Sequence, residues 1–238
     1  MFKKVFHGWN IFELCLLAVS LIAITVAFFL GEEKDPLSLL TSLFGVVSVL
    51  FVAKGLILGQ YLTVIFLALY ATLSFRAAYY GELILVLAIT LPSALVAIIT
   101  WLKNPSKERG KVQVNKISGK EWGVMLVAVL GITVGAYFLL KALHTAQLVV
   151  STVSFITSLS AAYLLIRRSE YYAVFYILND VILIILWSLA LAEGQHVLPS
   201  IISYCAFFLN DAYGFIDWRR RARQQQREAA ASLENGEA

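Results

Sequence analysis

The sequence predicts an all-α polytopic membrane protein, on three observations: its composition, the length of its apolar segments, and the return of those segments at an interval of 113 residues. Of 238 residues, 60% are hydrophobic and 14% charged, and the mean hydropathy is +0.80. Soluble domains carry about 25% charged residues. Backbone polar groups in hydrocarbon must be satisfied within their own segment, so a crossing helix needs about 20 mostly apolar residues. Segments at 37–53, 57–75 and 82–102 reappear at 150–166, 170–188 and 195–215. The punctuation reappears too. Lys54 and Gly81 are spaced like Arg167 and Gly194, and Tyr80-Gly81-Glu82 stands where Glu193-Gly194-Gln195 stands in the second copy.

Each element follows from that frame. Ile11–Leu30 is one apolar run after Lys3 and Lys4. It exceeds the roughly 7 to 15 residues of a signal core and lacks an A-x-A-like site before Glu32, so it reads as a retained N-terminal helix in 1–34. Residues 35–103 hold the first three-helix repeat and 146–218 the second. Three is odd, so two repeats start from the same side only if another span separates them. Trp122–Leu143 supplies it within a linker and connecting helix at 104–145. The repeats are therefore parallel, a known transporter plan that binds substrate near the midplane between repeats. The count is eight spans.

Charge sets the orientation. With the N-terminus inside, all of the 19 Lys and Arg except Lys34, Arg76 and Lys141 fall on the cytoplasmic side, so both termini are expected in the cytoplasm of a multi-pass protein. The net charge of +4 then needs no nucleic-acid partner. The basic linker from Lys103 reads as a topology signal near anionic lipid. The tail 219–238 is cytoplasmic, and from Gln224 its Gln, Ala and Glu content reads as frayed helix or disorder. Cys15 and Cys205 lie inside spans without metal-ligand spacing and read as packing residues.

Nothing in the chain resembles an enzyme. It has no phosphate loop, H-E-x-x-H helix or G-x-S-x-G elbow, and His7, His144 and His196 sit in terminal or loop positions. No catalytic residue, metal site or cofactor is predicted. The informative residues are polar groups within spans, because a charge at the bilayer centre costs about 2.5 to 3.5 kcal/mol on insertion scales. The second repeat carries Asn179-Asp180 and Asn210-Asp211. Interhelical hydrogen bonding is the bland reading of such pairs; a substrate site is the sharper one. Tyr172, Phe175, Tyr176 and Asn179 follow i, i+3, i+4, i+7 spacing on one face, and Trp187 lies two turns beyond. That face offers rings and an amide together, and a flat cation gains both stacking and cation–π attraction there. Carboxylates at Asp180 or Asp211 reinforce the preference for a cation. Glu13 reads as a residue that snorkels or packs.

These residues resemble the PnuC family of bacterial vitamin-precursor transporters, best known for nicotinamide riboside. The resemblance spans about residues 40–220 and rests on Tyr80-Gly81-Glu82, Pro92, Trp101, Arg167-Arg168-Ser169-Glu170, Asn179, Trp187, Asn210, Tyr213, Gly214 and Trp218. It implies a three-plus-one-plus-three core similar to SWEET sugar transporters, here preceded by one N-terminal helix. It further implies facilitated diffusion across the bacterial inner membrane, metabolic trapping by a cytoplasmic kinase, and a homo-oligomer, a trimer being one form. Carried over residue by residue, the family's site-facing positions fall on Tyr172, Phe175, Asn179, Trp187 and Asn210, with Gln60, Tyr70 and Tyr176 as further wall residues. The departures concern the ligand. Tyr172 and Phe175 stand where the family has tryptophans, Phe66 where it commonly has Asn, and Asp180 and Asp211 where uncharged residues are usual. Nicotinamide riboside is the leading substrate, thiamine or another vitamin the alternative, and a non-transporting membrane sensor the reading from another class.

Overall fold

A computed structural model describes residues 9–31, 35–76, 83, 85–108, 110–144, 147–194 and 198–234. The Tyr80-Gly81-Glu82 loop, Lys34, His7 and His196 lie outside the described residues. Most of those described are helical, with two isolated β-bridges and no strand among them. Helix α1 is Ile11–Leu30, α2 Pro36–Ala53, α3 Ile57–Arg76 and α4 Val86–Leu102, followed by α5 Gly119–Ala142, α6 Leu148–Ile166, α7 Tyr172–Ala192 and α8 Leu198–Glu234. Six of them, α1, α2, α3, α5, α6 and α7, are long and apolar enough to cross a membrane, and α4 is apolar but shorter. The chain is an all-α membrane protein.

Local chemistry sets the helix ends. Asn10 and Glu13 form a capping box that starts α1: Asn10 Oδ1 accepts from the Glu13 amide and Glu13 Oε2 from the Asn10 amide, each at 2.8 Å. Asp35 caps α2 with Pro36 in the first turn, where a missing N–H costs nothing. The first five residues of α4, Val86–Thr90, are π-helical. Pro92 follows directly and has no N–H for the Ala88 carbonyl, so the widened turn sits where the α-helical ladder is already broken.

Helices α2 and α6 pack on α3 and α7, and each also meets the last helix of the other repeat, α2 against α8 and α6 against α4. That crossed arrangement is locked at the end where the cations collect. Both α2 and α6 finish in a left-handed residue, Gly55 (φ 64°) and Arg168 (φ 60°), 113 residues apart. The turns close alike. Gly55 N–H bonds Val52 O and Leu56 N–H bonds Phe51 O, while Arg168 N–H bonds Leu165 O and Ser169 N–H bonds Leu164 O. This 5→2 and 6→1 pattern is a Schellman cap. Each cap carbonyl then accepts an indole N–H from the opposite repeat: Trp218 Nε1 donates to Val52 O and Trp101 Nε1 to Leu165 O, both at 3.1 Å. The two tryptophans are fully buried, with ring centroids 5.5 Å apart.

The linker crosses beneath this lock. Val112 N–H donates to Gly55 O and Asn115 N–H to Arg168 O, each at 2.9 Å, so one strand of chain holds both caps. Val112 is fully buried. The linker is thus packed as a strap on the bundle, beyond the lipid-adjacent topology signal its charge predicts. The expected fraying or disorder from Gln224 is replaced, through Glu234, by continuation of α8. Ala, Gln, Glu and Arg are strong helix formers, Gln224 bonds Glu228 at 3.0 Å, and Gln225 Oε1 accepts from Val114 N–H at 3.1 Å. Cys15 and Cys205 are free thiols on exposed helix faces instead of packing residues.

Gly59 and Gly131 make opposite predictions. A Cβ on Gly59 would lie 2.5 Å from the Val52 backbone nitrogen, and one on Gly131 meets nothing within 4 Å. Backbone atoms cannot step aside, so Gly59→Ala is expected to lower stability by about 1 to 3 kcal/mol, read as a fall of several degrees in the detergent melting temperature. Gly131→Ala should raise stability slightly, by up to about 1 kcal/mol of helix propensity.

Candidate functional site

The predicted one-face platform on α7 divides between neighbours. Helix α7 lies between α6 and α8, with Trp122 of α5 near its first turns. A face three residues wide is shared among three partners in that position. Tyr172 is fully buried against Trp218, at 4.9 Å between centroids, and belongs to the locked end. Gly214 leaves it room, since a Cβ there would stand 3.1 Å from the Tyr172 hydroxyl. Phe175 turns toward Trp122, at 6.2 Å. Tyr176 meets Tyr172 edge-on at 6.0 Å.

Asn179 points at α6. Its Oδ1 accepts from the hydroxyls of Ser154 (2.8 Å), Thr157 (2.9 Å) and Ser158 (3.0 Å), which occupy one face of α6 at i, i+3, i+4. The sequence reading missed these three residues; their shared face was the available signal. Ser154 and Ser158 commit the amide oxygen to α6, with Thr157 dividing its one proton between that oxygen and Ser154 O, so the NH2 group is oriented before any ligand arrives.

The first repeat builds the same contact without polarity. Phe66 corresponds to Asn179 and Gly45 to Ser158, both at the 113-residue offset. A Cβ on Gly45 would lie 3.1 Å from the Phe66 ring, so the missing side chain of Gly45 makes space for the larger one of Phe66. Tyr70 stacks on Phe66 at 5.9 Å. One half of the bundle is therefore aromatic where the other hydrogen-bonds.

Next to Asn179 the carboxyl groups of Asp180 and Asp211 face each other across α7 and α8, both buried, with Tyr176 beside them. Among the described residues neither has a Lys or Arg ion pair. Asn210 is fully buried and donates from Nδ2 to Ala206 O (2.7 Å) and to Ser20 of α1 (3.3 Å). Its NH2 is thus taken up by helix packing, while its Oδ1 has no partner. Gln60 sits in the first turn of α3, fully buried, with both amide atoms unpartnered. Trp187 Nε1 and Asp180 Oδ2 are also buried and unpartnered. A buried polar atom left unpaired costs about 1 to 3 kcal/mol, so these atoms are where a polar solute gains most by binding.

Charged groups outside the spans gather at the locked end. Burial raises the Glu170 carboxyl above its usual range, opposed by Arg219, Lys116 and Arg223. Two clefts of about 320 and 400 Å3 open there, one along Lys107, Arg221 and Gln225, the other along Lys116, Trp122 and Glu170. None of the predicted site residues lines either cleft, although Phe175 packs on Trp122 at the edge of the second. Glu13, expected to snorkel or pack, is buried in an ion pair with Lys54 at 2.5 Å.

Three comparisons bear on this arrangement. Over 226 residues the chain is 27% identical to a nicotinamide riboside transporter PnuC of Neisseria mucosa, covering 92% of this chain and 84% of the relative. It is 26% identical over 218 residues to the nicotinamide riboside transporter PnuC of Haemophilus influenzae, covering 90% and 92%. A crystal structure of the vitamin B3 transporter PnuC superposes with a TM-score of 0.80 at 26% identity, over 93% of this chain and 96% of that one. Residues 35–220, most of the chain, match the family profile described as nicotinamide mononucleotide transporter. By this similarity over most of its length, the chain belongs to the PnuC family of membrane transporters.

Proposed function

We propose that this protein carries nicotinamide riboside across the bacterial inner membrane by facilitated diffusion, the substrate being trapped when a cytoplasmic kinase phosphorylates it. The observation that carries the reading is the near full-length similarity to two nicotinamide riboside transporters. The site chemistry supports it. Asn179 has its oxygen tied to α6, so its NH2 is preset to donate to a ligand carbonyl or hydroxyl. Trp187, Tyr176, Phe66 and Tyr70 supply rings, and Gln60, Asn210 and Asp180 hold unpartnered buried atoms. Tyr172 and Phe175 act from the closed end and from the α5 side. The nucleoside fits better than its phosphate. A phosphate would approach Asp180 and Asp211, which have no cation paired with them among the described residues, whereas a pyridinium gains from both.

The transport architecture in this reading has eight spans: a three-plus-one-plus-three core of SWEET-like plan, α2–α4 and α6–α8 around α5, with α1 outside it. Helix bounds that recur near the 113-residue offset support the plan. The basic end is cytoplasmic, with both termini, because Lys and Arg concentrate there. The assembly is a homo-oligomer, and transport alternates access by rocking one repeat against the other. A second reading keeps the fold and changes the ligand: Phe66 in place of an amide and the Asp180–Asp211 pair favour thiamine, another flat cation with fewer hydroxyls to bind.

Uptake of labelled nicotinamide riboside into proteoliposomes, with unlabelled competitors in excess, separates the two. Nicotinamide riboside is expected to block uptake and thiamine to leave it intact; the reverse order reassigns the substrate. Asn179→Leu is expected to insert and melt like the parent, because the freed hydroxyls can bond carbonyls of their own helix as Thr157 already does to Ser154 O at 2.9 Å. Its uptake should fall at least about tenfold, the effect of losing about 1.4 kcal/mol of binding, and parental uptake by this variant would remove Asn179 from the site.

A further inference from the structure

Helices α1 and α5 stand outside the two repeats, yet they begin alike. Asn10 caps α1 and Ser118 caps α5, each side chain accepting from the amide three residues on, and that residue is a glutamate in both, Glu13 and Glu121. Each carboxylate then reaches the cation that follows the last residue of the next helix. Glu13 meets Lys54 at 2.5 Å; Glu121 meets Arg167 through both its oxygens, the Nη2 bond being 3.1 Å. Lys54 and Arg167 are 113 residues apart, and they cap α2 and α6. Each glutamate also accepts a tyrosine hydroxyl, Tyr213 from α8 and Tyr163 from α6, so the tyrosines converge from unrelated positions onto a shared design.

The cations adjoin the Schellman turns whose carbonyls take Trp218 and Trp101. We infer that Glu13 and Glu121 are paired positioning residues of a gate at this end: each fixes the cap of its repeat so that the tryptophan of the other repeat can lock onto it. The helices outside the repeats thus share one task, and each repeat works as a unit of four helices at this end. A buried pair such as Glu13–Lys54 adds little net stability over an apolar pair of similar volume, and a partly exposed one such as Glu121–Arg167 adds little as well, so two pairs at matching positions are better explained by positioning than by stability. The consequence for transport rests on the alternating-access reading above, in which this lock must open once per cycle.

The test is thiol accessibility behind the gate in nanodiscs without substrate. In a Cys15→Ser/Cys205→Ser background, Ala97→Cys places a reporter that is 1% exposed and packs with Trp101 and Trp218. Glu121→Gln, whose carboxylate is partly exposed, should keep its fold. For the buried pair, Glu13→Gln combined with Lys54→Met leaves no charge unpaired. Both are expected to speed maleimide labelling at position 97 at least about fivefold, as a local opening equilibrium shifts, and the combined variant further. A second reporter, Ile24→Cys, is buried against Val46 and Ala206 away from the gate and should stay slow. Labelling at 97 within twofold of the parent, or equal acceleration at 24, would overturn the assignment. Failure of the transport reading would appear elsewhere, as a parent protein without uptake whose labelling pattern is unchanged.

Discussion

Two indole N–H groups, each given to the cap carbonyl of the opposite repeat, are the constraint on which the rest of the structure depends. Helix caps are normally satisfied within their own chain segment, and here the 5→2 and 6→1 bonds already do so. The tryptophan uses the second lone pair of the same carbonyl. A bond of this kind is strong in a site without water and costs about 1 to 3 kcal/mol to break and leave unpaired. The crossing of α2 with α8 and of α6 with α4 follows from it, as does the burial of Tyr172 beneath Trp218. The linker and the two ion pairs then act on the same few residues, from Val52 to Gly55 and from Leu165 to Arg168.

Away from that end the two repeats diverge in chemistry while keeping their geometry. Asn179 with three hydroxyls and Phe66 with Gly45 are the same helix contact written in polar and in aromatic form. In the proposed site, a solute between them would be bonded on one side and stacked on the other. Such a site distinguishes the two faces and the two ends of its ligand, which a symmetric pair of amides would do less well.

Much of this was legible in the sequence, and the reason differs by level. Span positions follow from a solvent that forbids unsatisfied backbone, so apolar length located α1 to α3 and α5 to α7 closely. The 113-residue interval located the caps, because Lys54 and Arg167 mark the ends of equivalent helices. Side-chain direction was less accessible. Tyr172, Phe175 and Asn179 share a face by spacing, yet the face meets three neighbours, and only packing decides which residue goes to which. Asn210 was readable as an intramembrane amide, whereas its partner Ser20 lies 190 residues away on a helix that the repeat does not predict. Glu13 read only as snorkelling or packing for the same reason: Lys54 is brought to it only by the fold.

Helix α8 has a mechanical aspect as well. It runs without a break from Leu198 through Trp218 to Glu234, with Gln225 bonded to the linker on the way. The part beyond Trp218 is about 24 Å long at 1.5 Å per residue. A stiff rod of that length is a lever: a tilt of about 5° at the lock displaces its tip by about 2 Å. A movement of the second repeat would therefore be carried, amplified, to the charged end of this helix.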